Sequence, residues 1–130
     1  MTKPPDPPRP TDSELEILTV LWARGPATVR EVHEIIARRK PTQYTTVLKT
    51  MQIMAEKALL RRDESERAHV YSPCRTQEWT QRQLAGDLLH RAFGNSPSSL
   101  VLGALSARKT SRQELKQIRK LLDDYERGSK

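Results

Sequence analysis

The sequence predicts a mainly α-helical chain with one small β-hairpin, in two parts, and three observations predict it. Three Thr/Ser-x-x-Glu boxes, Thr11–Glu14, Thr28–Glu31 and Ser111–Glu114, mark helix starts. Apolar residues behind each box recur at helical spacing. Residues 59–73 hold two short β-like runs, Leu59 to Arg62 and Arg67 to Pro73, split by the charged turn Asp63-Glu64-Ser65-Glu66.

The elements follow in order. MTKPPDPPRP, residues 1–10, is proline-rich with no apolar stretch and reads as a flexible lead rather than a secretory signal. The first helix runs from Thr11 to Arg24, with Leu15, Leu18 and Trp22 as the inward stripe and Ile17 and Leu21 beside it; Gly25-Pro26 stops it. The second opens at Val29, runs to about Arg39 and turns Val32, Ile35 and Ile36 inward. Lys40-Pro41-Thr42 is a turn. The third runs from about Gln43 to Lys57, with Val47, Met51, Met54 and Ala58 on one face and Thr45, Thr46, Lys49, Thr50 and Gln52 largely away from it. Three helices followed by a hairpin is the layout of a winged helix-turn-helix, placed at residues 11–75.

Residues 76–130 read as helix throughout. Thr76 caps a helix ending near Phe93, with Leu84, Leu88, Leu89, Ala92 and Phe93 apolar; Gly94-Asn95-Ser96-Pro97 breaks it. Leu100, Val101, Leu102, Ala104 and Leu105 follow. In the last helix Leu115, Ile118, Leu122 and Tyr125 step by 3, 4 and 3, a short a/d seam. The seam either packs within the chain or pairs with a second copy. Six aromatic residues and 35% apolar content leave little bulk for a private core here, which favours pairing, so this part is read as a helical dimerisation domain.

Charge narrows the partner. The 130 residues carry a formal charge of +7, which suits nucleic acid or an acidic membrane surface, or belongs to a soluble protein that is simply basic. From Arg38 to Arg75 there are nine Lys/Arg against four Asp/Glu. No apolar run approaches the ~20 residues that cross a bilayer. The single cysteine, Cys74, suits a reducing compartment and supplies one ligand where a structural zinc needs about four. His33, His69 and His90 are scattered, and His69 is assigned to a strand; no phosphate loop, nucleophile motif or metal spacing is present, so neither catalysis nor a cofactor is expected.

The third helix carries the function argument. Its outward threonines can bond bases or phosphates and touch thymine methyls, and Lys49 can reach further. Its N-terminus offers free N–H groups to a phosphate, with Tyr44 beside them. Arg61, Arg62 and Arg67 on or near the hairpin would set affinity and register. Asp63, Glu64 and Glu66 would repel phosphates, so the hairpin tip is expected partly off the duplex, with Arg67 making the contact. A winged helix serving only as a protein-interaction module is the alternative.

Tyr44-Thr45-Thr46-Val47, Ala55-Glu56-Lys57-Ala58-Leu59-Leu60-Arg61-Arg62 and Arg67-Ala68-His69-Val70-Tyr71 resemble the penicillinase-repressor (BlaI/MecI) family. So do Thr11 to Leu18, Leu21-Trp22 and Ser99-Leu100-Val101-Leu102. The resemblance implies a cytoplasmic homodimeric repressor that binds inverted-repeat DNA operators. It also implies relief by a membrane metalloprotease sensor that cuts in the dimerisation domain. By position, Tyr44, Thr45, Thr46 and Lys49 would contact DNA, Arg67 would be a wing contact, and Gly103-Ala104 would be the scissile pair. The residue pattern itself adds Thr50 and Arg61 to the DNA contacts and gives Leu88, Phe93, Leu100, Leu102, Leu115, Ile118, Leu122 and Tyr125 to dimerisation. Familiar members carry Asn-Phe at that bond, and without a bulky residue after it the same protease need not cut here. Many carry Arg where this chain has Ile53, which removes one candidate phosphate contact. Paired C-terminal cysteines, the mark of the copper-responsive branch, are missing.

Overall fold

A computed structural model describes residues 9–128. Most of the lead expected at residues 1–10 lies outside them. The elements are α1 (Asp12–Arg24), α2 (Val29–Ala37), α3 (Tyr44–Glu56), β1 (Leu60–Asp63), β2 (Val70–Pro73), α4 (Gln77–Ala92), α5 (Pro97–Ala107) and α6 (Arg112–Gly128). The chain divides into two compact units, one ending at Leu84 and the other beginning at Ala85.

In the first unit both predicted capping boxes close. The Thr11 hydroxyl accepts from the Glu14 N–H at 3.2 Å while Glu14 accepts from the Thr11 N–H at 2.9 Å. Thr28 and Glu31 repeat the exchange at 3.2 and 2.9 Å. Each box satisfies N–H groups that a helix start otherwise leaves open. The core forms where α1, α2 and α3 meet the hairpin. Val32, Met51, Met54, Leu21 and Tyr71 are its largest fully buried side chains. Truncating Met51 or Met54 to alanine would cost about 2–5 kcal/mol.

β1 and β2 pair antiparallel, with Leu60 opposite Pro73, Arg62 opposite Tyr71 and Asp63 opposite Val70. A further bridge joins Ala27 to Tyr71: the Tyr71 N–H donates to the Ala27 carbonyl at 2.8 Å, and the Ala27 N–H donates to the Tyr71 carbonyl at 3.0 Å. The α1–α2 connection thus serves as a third, minimal strand that fixes the wing against the helices. Beyond the wing, the Trp22 indole N–H donates to the Arg75 carbonyl at 3.1 Å, and the Arg75 guanidinium lies 4.5 Å over the Trp79 ring.

Four local expectations are corrected. Leu15 and Trp22 are half-buried; the buried stripe of α1 is Ile17, Leu18, Val20 and Leu21, with Glu14 at its head. Hydrophobic spacing alone cannot distinguish adjacent stripes of so apolar a helix. Ala58 does not extend the inward face of α3. The helix ends at Glu56, and Ala58 is exposed with φ 63°. There the Leu59 N–H donates to the Met54 carbonyl at 2.9 Å and the Ala58 N–H to that of Ala55 at 3.2 Å, a Schellman stop. Leu59 and Leu60 fill the core position instead. The first hairpin strand is shifted by one residue and the second starts three residues later than read, so Arg67 lies in the loop and His69 is not in a strand. Asp63 starts that loop by accepting from the Ser65 N–H at 2.9 Å.

In the second unit, Gly94 and Asn95 both take left-handed backbone and end α4. Ser96 caps α5, accepting from the Ser99 N–H at 3.2 Å, and Ser111 caps α6 at 3.0 Å. Phe93, Leu100, Leu115 and Ile118 are half-buried. Leu88, Leu102, Leu122 and Tyr125 are exposed, as are Val101 and Leu121. No residue of α5 or α6 is fully buried.

Candidate nucleic-acid interface

With Val47, Met51 and Met54 buried, helical geometry turns Thr45, Lys49, Gln52, Ile53 and Glu56 directly outward; all five are exposed. Thr46 and Thr50 lie on the shoulder toward α1, sharing a groove with Glu16 and Lys40. The Thr50 hydroxyl donates to its own helix, to the Thr46 carbonyl at 2.8 Å, and so keeps only acceptor capacity for a ligand. Tyr44, Leu48 and Gln52 lie on the opposite shoulder, lining a cleft shared with Arg30, Arg67 and His69.

The start of α3 differs from those of α1 and α2. Its N-cap, Gln43, makes no side-chain cap bond, and the first turn holds no carboxylate. The leading N–H groups and the positive end of the helix dipole therefore stay open to an anion. The turn before it is held firmly. His33 Nε2 donates to the Thr42 carbonyl at 2.7 Å, and its ring meets that of Tyr44 edge-on at 5.8 Å.

Cations surround this face unequally. Lys40 pairs with Glu16 at 3.0 Å, Lys57 with Glu14 at 2.8 Å and Arg62 with Glu64 at 2.9 Å. Among the described residues Lys49, Arg61 and Arg67 pair with no carboxylate, and their charge is available to a ligand. Tyr44 and Arg67 share a cleft, whereas Arg61 does not join them. Leu60 is buried, so strand alternation puts Arg62 on the α3 side, beside Gln52 and Ala55, and Arg61 on the other. Two of the wing's acidic residues are engaged within the wing itself. Hydrogen bonds from Ser65 hold the Asp63 carboxyl below its ordinary value, and Glu64 is engaged by Arg62. Bonds to Tyr71 and Glu64 in turn raise the Arg62 guanidinium further.

Arg30 is a residue of this face that the sequence did not disclose. It stands at the start of α2, exposed, and reaches the Arg67 cleft only because the Ala27–Tyr71 bridge draws the wing alongside. That bridge spans distant positions and leaves no local signal. Glu14 at the far end of α3 is structural. Burial would raise its carboxyl, but the Lys57 bond and charge, with the Thr11 bonds, together hold it below the ordinary value.

Gly103 and Ala104 sit in the middle of α5, helical on both sides. A Cβ on Gly103 would meet the Phe93 ring at 3.2 Å. The proposed dimerisation residues all fall in or beside α4, α5 and α6. Among the described residues no cluster of His, Cys, Asp or Glu could hold a metal, and no helix is long and apolar enough to cross a membrane.

Three helices, the last of them uncapped and with an outward Thr/Lys face, and a tethered wing define a winged-helix protein of the DNA-binding class. More narrowly, the chain belongs to the penicillinase repressor family, whose model matches residues 10–124. It is 31% identical over 118 residues to the transcriptional regulator BlaI of Mycobacterium tuberculosis, covering 90% of this chain and 85% of that one. It is 20% identical over 112 residues to the penicillinase repressor of Staphylococcus aureus, covering 86% and 89%. The solution structure of the DNA binding domain of the repressor BlaI superposes with a TM-score of 0.50 at 22% identity, covering 55% of this chain and 88% of that one, which establishes the fold. The family is one of transcriptional repressors, not of enzymes.

Proposed function

We propose that this protein is a cytoplasmic, sequence-specific repressor that binds double-stranded DNA operators as a homodimer on inverted repeats. The observation that carries the reading is the start of α3: open N–H groups and no carboxylate, beside the unpaired Lys49 and Arg67. Thr45, Thr46 and Lys49 enter the major groove, while Tyr44, Thr50 and Arg67 set register on phosphates, with Arg30 beside Arg67 in the same cleft. Pairing through α4–α6 covers Leu102, Leu122 and Tyr125, which a lone chain leaves 66%, 60% and 80% exposed. It sets two reading helices one duplex turn apart, ~34 Å, or a small multiple of it.

Salt titration of binding to duplex DNA tests this directly. Each neutralised phosphate contributes a slope of about −0.9 in log affinity against log salt. A steep slope and a preferred sequence are expected. Salt-independent capture of a protein, without duplex binding, would instead make the domain an interaction module.

Relief of repression follows the family resemblance: a membrane metalloprotease sensor cuts Gly103-Ala104. Because the bond lies mid-helix, α5 must open locally before a protease can take it in extended form. Mass spectrometry of the chain after induction should find a fragment ending at Gly103; an intact chain under induction would remove this step.

A further inference from the structure

Among the described residues up to Leu84, only two large apolar side chains are exposed, Tyr44 at 43% and Ile53 at 37%. The Tyr44 ring has a partner in His33. Ile53 is absent from the core cluster, which Val47, Met51 and Met54 complete beneath α3. It lies one turn beyond Lys49 and three residues beyond Thr50, on the outward face of the helix. A β-branched residue is a poorer helix former than leucine, lysine or alanine. Ile53 keeps 37% of its surface exposed and lies outside the core cluster, so core packing does not account for an isoleucine at this position.

The chemistry of the groove does. On the major-groove edge of an A·T pair, the one apolar group is the C5-methyl of thymine, and an aliphatic side chain recognises it where amides and guanidiniums seek acceptors. We infer that Ile53 is a specificity-determining residue that reads a thymine methyl in each half-site; this rests on the DNA-binding reading above. From Thr45 to Ile53 the helix rises ~12 Å, so the thymine lies some three to four base pairs from the base nearest Thr45. Lys49, between them, faces the intervening steps.

The experiment uses the full chain. A preferred duplex is first selected from a randomised pool, and each thymine is then replaced singly by deoxyuridine, which deletes only the methyl. One position per half-site should lose about three- to fivefold in affinity, the size expected for one buried methyl group. At that position Ile53→Ala should bind the thymine and uracil duplexes equally, and Ile53→Val should keep part of the difference. Circular dichroism should show both variants folded, since the side chain lies outside the core. Equal binding of thymine and uracil duplexes by the unaltered protein, or a full methyl effect surviving in Ile53→Ala, would overturn the inference while leaving DNA recognition intact. Failure to enrich any sequence would instead overturn the DNA-reading proposal and this inference with it.

Discussion

His33 and Tyr44 stand edge to face, ring centroids 5.8 Å apart at 83°, across the turn that launches the reading helix. The same histidine holds the Thr42 carbonyl at 2.7 Å. Both contacts bear on the segment Lys40 to Gln43, which no cap on α3 secures. His33→Ala should therefore weaken DNA binding through a looser entry to α3, with a stability loss of about 1 kcal/mol. Fluorescence anisotropy beside thermal melting separates the two effects. A melt shifted down with affinity unchanged would show that the histidine only packs.

The Glu14–Lys57 pair, 2.8 Å apart, joins the start of α1 to the end of α3. The folded-state carboxyl lies below its usual 4.5. Its contribution is thus full above the unfolded value and fades as pH falls through the folded one. Glu14→Gln should cost about 2 kcal/mol near neutrality, since the carboxylate is buried while Lys57 is a third exposed. The penalty should shrink as pH falls below about 4.5. Denaturant melts at pH 7 and pH 3 check this; an equal penalty at both would mean the charge contributes nothing.

Ala58 occupies left-handed backbone at φ 63°, at the position of a Schellman stop where glycine has no Cβ to crowd. Ala58→Gly should stabilise the first unit by about 1 kcal/mol and raise Tm by several degrees, less whatever glycine adds to the freedom of the unfolded chain. Unchanged or lowered stability would show that the crowding is already relieved.

Pairing of two copies is tested at α6. Leu122→Asp combined with Tyr125→Asp should yield monomers in sedimentation analysis and reduce operator affinity by at least tenfold, because each half-site is then bound alone. Both side chains are exposed in the single chain, so the fold should survive. A doubly substituted protein that still sediments as a dimer would move the interface elsewhere.

The sequence disclosed what local chemistry writes. Thr11, Thr28 and Ser111 announced their helices because a cap needs only residues three apart. The outward placement of Thr45 and Lys49 followed from the spacing of Val47, Met51 and Met54. What escaped depends on contacts between distant residues. The Ala27–Tyr71 bridge, which brings Arg30 to the wing, joins positions with no shared pattern. Arg61 and Arg62 are indistinguishable as a dipeptide until the burial of Leu60 fixes the strand's phase. Ala58 misled because alanine suits a helix interior, while the Schellman bonds that end the helix there are invisible in its identity.

The central claim is that the outer face of α3 chooses the sequence. Its most direct measurement is the ratio of affinities for the selected duplex and a scrambled one, taken with Thr46→Ala/Lys49→Ala in a chain shown to be folded and dimeric. The ratio should fall close to one, while the residual binding keeps most of its salt dependence through Arg30 and Arg67. A ratio equal to that of the unaltered protein would contradict the claim.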